Sequence, residues 1–402
     1  MTSTMSEILD HPAFRKAQDL LRADHDRMVG EIITLTEIPA PPFAEERRAA
    51  AYLDMMRDAG LEDVQLDGIG NVTGLMPGSG NGGIIVVAAH LDTVFPEGTD
   101  VTVRREGTRL MAPGVGDDTR ALAVNLSLIR SIRAAGLRTR SDILFVGDVG
   151  EEGKGDLRGI RHLLTEGAYR ERVEGFFTVD GLESDALTSE AVGSYRYRVT
   201  FSGPGGHSYM AFGTVNPMHA LAAVVTGLSQ LDVPAEPKTT YAAATLGGGT
   251  SINAIPNEVW LEVDLRSVSQ AELDRIDAAF HQMISTAVEA ENRRGNAENG
   301  KITAHAERIG NRPAGRNADG SPFVASAAEA VAAFGFTPRF DASSTDANIP
   351  ISLGIPAVRI GSGGTGGRAH SLDEWIDVEP ELSLRGIYAI LAAILAAAGM
   401  ED

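Results

Sequence analysis

Acids and histidines recur in this sequence at particular places, directly after short apolar runs. Ile84-Ile85-Val86-Val87-Ala88 surfaces into His90-Leu91-Asp92, DILFVGD runs into the adjacent pair Glu151-Glu152, and EGFFTV ends in Asp180. MAPGVGDDTRA sets Asp117 and Asp118 in a glycine-rich turn opening a helix, and His370 follows the glycine loop of VRIGSGGTGGRAHSLDEW. Apolar runs of this kind read as strands covered on both faces of a parallel sheet. Ligands of open α/β sheets bind beyond the carboxyl ends of such strands. The set supplies two histidines and at least three carboxylates, all imidazole or oxygen donors. Two divalent ions about 3.5–4 Å apart, sharing one bridging carboxylate, would use it fully. They would lower the pKa of a bridging water, and a further carboxylate must then accept its proton. Glu151 and Glu152 suit that division, since neighbours in extended chain point oppositely and one can ligate while the other faces substrate. Asp92, on the same side as His90, is expected to fix its imidazole.

Blander readings stand beside these. His90 alone could be a packed histidine, Glu151-Glu152 an exposed acidic pair, and Asp180 a cap on the turn at Gly181. Asp118 rather than Asp117 could be the ligand. His11, His25, His162, His219, His281 and His305 fall in surface-like helices or strands and take no role. Asp346, in SSTDAN, is placed behind the ligands, supporting His370 or shaping the pocket.

The elements that must position these residues follow from periodicity. FRKAQDLLRADHDRMVGEIITLTEI and EERRAAAYLDMMRDAG read as helices, the first broken by Pro39, Pro41 and Pro42, the second ended by Gly60. Strands then alternate with helices through IIVVAA, LAVNLSLIRSIRAAG, DILFVGD, a helix around 159–167, and EGFFTVDG, which implies a layered, largely parallel α/β sheet. Near residue 193 the pattern changes to strict alternation, in SYRYRVTFSG, TTYAAATLGG and EVWLEVDLRS. With two helices and KITAHAERIG, the order β-α-β-β-α-β matches a ferredoxin-like module. The expected organisation is a catalytic α/β domain in two parts, 1–192 and 312–402, interrupted by an inserted lid or dimerisation domain over 193–311.

Composition bounds the rest. The 402 residues carry 43% hydrophobic and 22% charged residues, ordinary for a globular protein, and a formal net charge of -20. That charge disfavours nucleic acid and anionic membranes as partners. No cysteine is present, so thiolate metal sites and disulfides are excluded. The N-terminus lacks a signal core and no apolar run reads as membrane-spanning, so a cytoplasmic protein is expected.

Taken together, HLDTV, GVGDD, GEEGKGDLRG, TVDG, SGPGGHS, GGTSINAIPNEVWLEVDLRS, SSTDAN and AHSLDEW resemble the zinc-dependent exopeptidase and amidohydrolase family that includes aminoacylase, carboxypeptidase G and peptidase T. The likeness runs in consistent order from about Ile38 to the C-terminus. It implies that His90 and Asp180 hold one ion, Glu152 and His370 the other, that Asp117 bridges them, and that Glu151 is the general base. Asp at 180 and the glycine-rich tail of GEEGKGDLRG look more like the peptidase T side. His207 would help stabilise the oxyanion, reaching across the interface of a homodimer formed through the inserted domain. Asn253 and Arg266 resemble residues that grip a substrate carboxylate, with Arg312 a weaker candidate. In this chain Thr119-Arg120 stands where many relatives carry lysine.

The expected function is binuclear metal-dependent hydrolysis of an amide bond by a metal-bridging hydroxide. The substrate would be a di- or tripeptide cleaved as by an aminopeptidase, or an N-acyl amino acid. The alternatives are hydrolysis of a non-peptide C–N bond and a non-catalytic metal-bound peptide or amino-acid binding scaffold. Zinc is the favoured ion, with manganese and cobalt chemically acceptable to the same donors.

Overall fold

The computed structural model describes residues 4–80 and 82–401. The chain divides into two compact units, one made of 1–191 and 316–402, the other of 192–315.

In the first unit, the strand Ile84–His90 is buried at all seven positions, as is Asp142–Asp148 beside it. Their alternate side chains face opposite ways. Ile85, Val87, Ala89, Ile143 and Phe145 enter one core, while Ile84, Val86, Ala88, Leu144 and Val146 enter another. Each buried side chain of this size contributes roughly 1.5–3 kcal/mol, so both faces must be covered by helices. The first core packs against Pro12–Thr36, Thr119–Ala135 and Pro380–Ala398, and the second against Arg158–Thr165. The middle of the sheet is parallel, with Asp142–Asp148, Ile84–His90, Val173–Val179 and Ala357–Ile360 side by side. Antiparallel strands flank it, Glu62–Leu66 and Val72–Met76 on one side and Ala186–Ala191 on the other. Because the central strands run the same way, His90, Glu151-Glu152 and Asp180 all emerge at their carboxyl ends. The fold is thus the layered, largely parallel α/β arrangement that the apolar runs imply.

Two sequence expectations are corrected here. Pro380–Ala398 is long and apolar enough to cross a membrane by length and composition, although no apolar run had been read that way. It is mostly buried and forms part of the first core. His25, expected on a surface helix, is only 7% exposed. Its helix presents it on the same inward stripe as Leu21, Met28 and Ile32.

The second unit has four antiparallel strands in the order Thr239–Gly248, Glu258–Ser267, Gly193–Ser202 and Thr303–Arg312. The two central strands alternate buried and half-buried residues along their length. Val199, Phe201, Val259, Leu261 and Val263 face the helices Pro217–Ser229 and Gln270–Arg294 and share their core. The element order β-α-β-β-α-β is that of a ferredoxin-like module.

Candidate metal centre

His90 closes its strand with the ring already oriented. Its Nδ1 lies 3.0 Å from the backbone oxygen of Asp92, and its Nε2 2.9 Å from Asp117 Oδ1. The carboxylate of Asp92 stands farther from the ring, at 3.7 Å. It accepts instead from the backbone N–H groups of Glu151, at 3.0 Å, and Glu152, at 2.8 Å. Asp92 therefore ties the His90 strand end to the Glu151-Glu152 turn. The ring is held chiefly by its carbonyl rather than, as expected, by its carboxylate.

Asp117 lies between two imidazoles. Its Oδ2 is 3.1 Å from His370 Nε2, which also lies 2.9 Å from Glu152 Oε1. Burial alone would raise the Asp117 carboxyl, but the hydrogen bonds from His370 and His90 outweigh it and hold the carboxyl well below the usual range. The same contacts to Asp117 and Glu152 push the His370 ring up to about 10. His370 has φ +64°, in the left-handed region that non-glycine residues seldom occupy. Such conformations cost free energy and cluster at functional sites.

Asp118, which follows Asp117 through a cis peptide bond, is fully buried. Its Oδ2 accepts from the His90 backbone N–H at 3.1 Å, while Oδ1 has no hydrogen-bond partner among the described residues. Burial raises the carboxyls of both Asp118 and Asp180.

Donor atoms of His90, Asp117 and Glu152 lie within 4.8 Å of one another, and so do those of His90, Asp118 and Asp180. This donor set fits divalent ions. Carboxylates crowd where like charges repel, one buried oxygen lacks a donor, and nitrogen and oxygen ligands of this mix suit zinc, manganese or cobalt. Both Asp117 and Asp118 thus stand at the site, and the alternative of Asp118 as a ligand gains a geometric basis.

Two groups behind the candidate ligands, Glu374 and Asp148, escaped the sequence reading, and a third, Asp346, had been placed there. Glu374, 1% exposed, accepts from the backbone N–H groups of Gly114, Gly116 and Asp117 at 2.8, 2.8 and 2.9 Å. Burial nonetheless pushes its carboxyl up to about 7. Asp148 and Asp346 are buried carboxyls that interact with one another. Burial pushes Asp148 up to about 7, and burial, with the charges of Asp148 and Glu151, raises Asp346 well above the usual carboxyl range. Asp346 therefore stands near Glu151 and Asp148, behind the candidate ligands. Glu374 sits within AHSLDEW, and that proximity to His370 was the available signal.

The other candidates lie in the second unit. His207 pairs with Ala254 across a two-residue ladder, and the Ser208 N–H donates to the Asn253 carbonyl at 2.9 Å, so His207 and Asn253 are neighbours. Arg266 donates to Asp264, two residues earlier on the strand Glu258–Ser267, at 2.7 Å. Arg312 is buried at the end of the strand Thr303–Arg312.

Residues 86–396 match the model of Peptidase family M20/M25/M40. Among curated proteins, succinyl-diaminopimelate desuccinylase of Corynebacterium glutamicum is 23% identical over 258 residues, covering 61% of this chain and 69% of that protein. Among solved structures, a tripeptidase from Staphylococcus aureus superposes with a TM-score of 0.76 at 21% identity, covering 93% of this chain and 99% of its own. Aminopeptidase PepT from Bacillus cereus does so with a TM-score of 0.74 at 21% identity, with the same 93% and 99% coverage. Since the family match spans well over half of the 402 residues, the chain belongs to Peptidase family M20/M25/M40 and is a metallohydrolase.

Proposed function

We propose that this protein hydrolyses an amide bond in a small peptide, as a di- or tripeptide aminopeptidase, or in an N-acyl amino acid, using two divalent ions held by His90, Asp117, Glu152, Asp180 and His370. The observation that carries this reading is the Asp117 carboxylate placed between His90 at 2.9 Å and His370 at 3.1 Å, the position of a bridging ligand. When bound, two such ions, zinc in this reading, lower the pKa of a water and polarise the scissile carbonyl.

The chain's own residues do the rest. Glu151, buried and anchored through its backbone to Asp92, accepts the proton of the attacking water. It then delivers that proton to the leaving amine as the C–N bond breaks, so the carboxylate is regenerated. Asp92 keeps Glu151 and Glu152 in register, and Glu374 braces the turn that carries Asp117.

His207 is assigned the oxyanion, supplied from the inserted unit of a second copy of the chain, and Asn253 and Arg266 a substrate carboxylate. A homodimer is supported by the outer strand Thr239–Gly248, largely exposed, and by the exposed apolar side chains of Tyr209, Met210, Phe212, Leu246 and Ile252 in the same unit. The net charge of -20 disfavours nucleic acid and anionic membranes as partners, and the proposed enzyme is cytoplasmic.

The test is to strip the protein with a chelator, restore zinc, manganese or cobalt, and assay short peptides and N-acyl amino acids. Cleavage restored at about two ions per chain supports the reading. Two bound ions without cleavage of either class sink the peptide and N-acyl assignment, leaving other C–N bonds or a binding scaffold. No metal binding overturns the whole proposal.

A further inference from the structure

A cavity of about 260 Å³ in the first unit is lined by four carboxylates, Asp117, Asp180, Glu183 and Glu374, together with Leu182, Trp375 and two arginines, Arg359 and Arg368. The arginines are unexpected beside a cation site. Arg359 stands on the interior strand Ala357–Ile360, between Val173–Val179 and Ala186–Ala191, and its side chain is 13% exposed. Its guanidinium lies against the turn after Asp180. A Cβ on Gly181 would come within 1.8 Å of Arg359 Nη2, so the glycine is what admits it. The side-chain partner of Arg359 is Glu183, at 3.2 Å, and that carboxylate is 59% exposed. An ion pair to so exposed a carboxylate is screened and weak. Arg368 is itself largely exposed and pairs with the exposed Asp373 at 3.0 Å.

Charge decides what the cavity accepts. Once Asp117 and Asp180 serve divalent ions, their negative charge is no longer available to Arg359, which feels Asp180 strongly in the protein. Glu374 is committed to three backbone amides. The cavity then carries a mostly buried guanidinium with five N–H donors, which hydrogen-bonds the exposed Glu183 and also feels the charge of Asp341, next to cations that repel it. An anion with a planar, two-oxygen face matches such a fork.

We propose that the cavity receives a carboxylate of the substrate and that Arg359 is the residue that selects it. This rests on the hydrolase reading above and narrows its substrate class to short peptides bearing an acidic side chain or amino acids acylated with a dicarboxylic acid. Leu182 and Trp375 supply apolar wall for the methylene groups between that carboxylate and the scissile amide.

The experiment compares matched substrates on the zinc-loaded protein, Glu-containing against Gln-containing tripeptides and N-succinyl against N-butyryl amino acids. The unaltered protein is expected to favour the charged member by about tenfold or more in kcat/KM, expressed in KM, as a charge-assisted hydrogen bond requires. In Arg359→Gln that ratio falls to about one, and Arg359→Lys is intermediate because a point charge replaces the fork. Which pair shows the preference tells whether the carboxylate belongs to a side chain or to an acyl group. Binding of glutarate and of butyrate, measured by calorimetry, provides a readout that needs no turnover. Glutarate should bind more tightly than butyrate, and Arg359→Gln should remove the difference. Metal content and circular dichroism establish that the variants are folded, and if Arg359→Gln is not, Arg359→Lys is judged by the same ratios. A ratio near one in the unaltered protein, or one that survives in the variants, overturns the proposal. If neither substrate class is cleaved, the hydrolase reading fails separately, and the glutarate comparison alone supports or overturns the carboxylate site.

Discussion

Glu374 accepts the backbone N–H of Asp117 at 2.9 Å across 257 positions of chain, and accepts those of Gly114 and Gly116 as well. One buried carboxylate thus sets the shape of the turn from which Asp117, the proposed bridging ligand, projects. Glu374→Ala strands three buried donors, each worth about 1–3 kcal/mol when left unsatisfied. Denaturant unfolding should show a loss of about 3 kcal/mol or more. Metal affinity, measured by competition with a chromophoric chelator, should fall by about 10–100-fold as the ligand loses its support. Unchanged metal affinity would show that the turn holds its shape without Glu374.

Replacement of Glu151 by glutamine keeps the size of the side chain and removes the proton acceptor. The expected result is a fall in kcat of about 10²–10⁴-fold, with metal content per chain unchanged. Steady-state kinetics combined with elemental analysis would check both halves. A variant that keeps its rate excludes Glu151 as the base.

Metal removal should be coupled to protons. The His370 ring, raised to about 10 by Asp117 and Glu152, carries a proton at pH 7 in the stripped protein. Binding an ion there must displace it. Calorimetry at pH 7 in buffers of different ionisation enthalpy should reveal net proton release, to which this ring contributes about one per chain alongside His90, whose ring is likewise raised by Asp117. The sign for the stripped protein follows. Stabilisation by the protonated ring is complete below the ordinary histidine value near 6.5 and is lost as pH rises through about 10. Proton release that stays constant up to pH 11 would exclude His370 as its source.

Asp148 provides a separate pH dependence. Its carboxyl is raised to about 7, whereas an unfolded aspartate titrates near 3.9. Between those values the folded state binds more protons, so this group's contribution to stability declines as pH rises through the window. Asp148→Asn cannot ionise and escapes that decline. The melting temperature of the variant relative to the unaltered protein should therefore be more favourable at pH 8 than at pH 5. An equal difference at both pH values contradicts the assignment.

The proposed homodimer can be tested on an exposed apolar side chain. Ile252 lies fully in solvent in the second unit, so Ile252→Glu has no folded-core contact to lose. Sedimentation velocity should show a dimer for the unaltered protein and a shift toward monomer for the variant. Identical sedimentation removes this surface from the interface.

By itself, the sequence determined the elements and the chemistry they present. The unbroken apolar runs 84–88 and 143–146 leave no amphipathic reading, so a two-faced parallel sheet was legible from hydrophobicity alone, and both strands are buried along their whole length. Because strand polarity is shared, residues just after the apolar runs had to gather at one edge, which is why His90, Glu151, Glu152 and Asp180 could be singled out without coordinates. Tertiary structure decided which atoms do what. Asp92 looks in sequence like a partner for the His90 ring, but hydrogen bonding is set by three-dimensional direction, and its carboxylate turns to the amides of Glu151 and Glu152. His25 looked exposed because its neighbours are charged, while its helix turns it inward. Glu374, the Asp148–Asp346 pair and Arg359 carry no local signature, since their roles depend on partners brought close only by packing of the sheet. Periodicity is a property of the chain, and proximity between distant positions is a property of the fold.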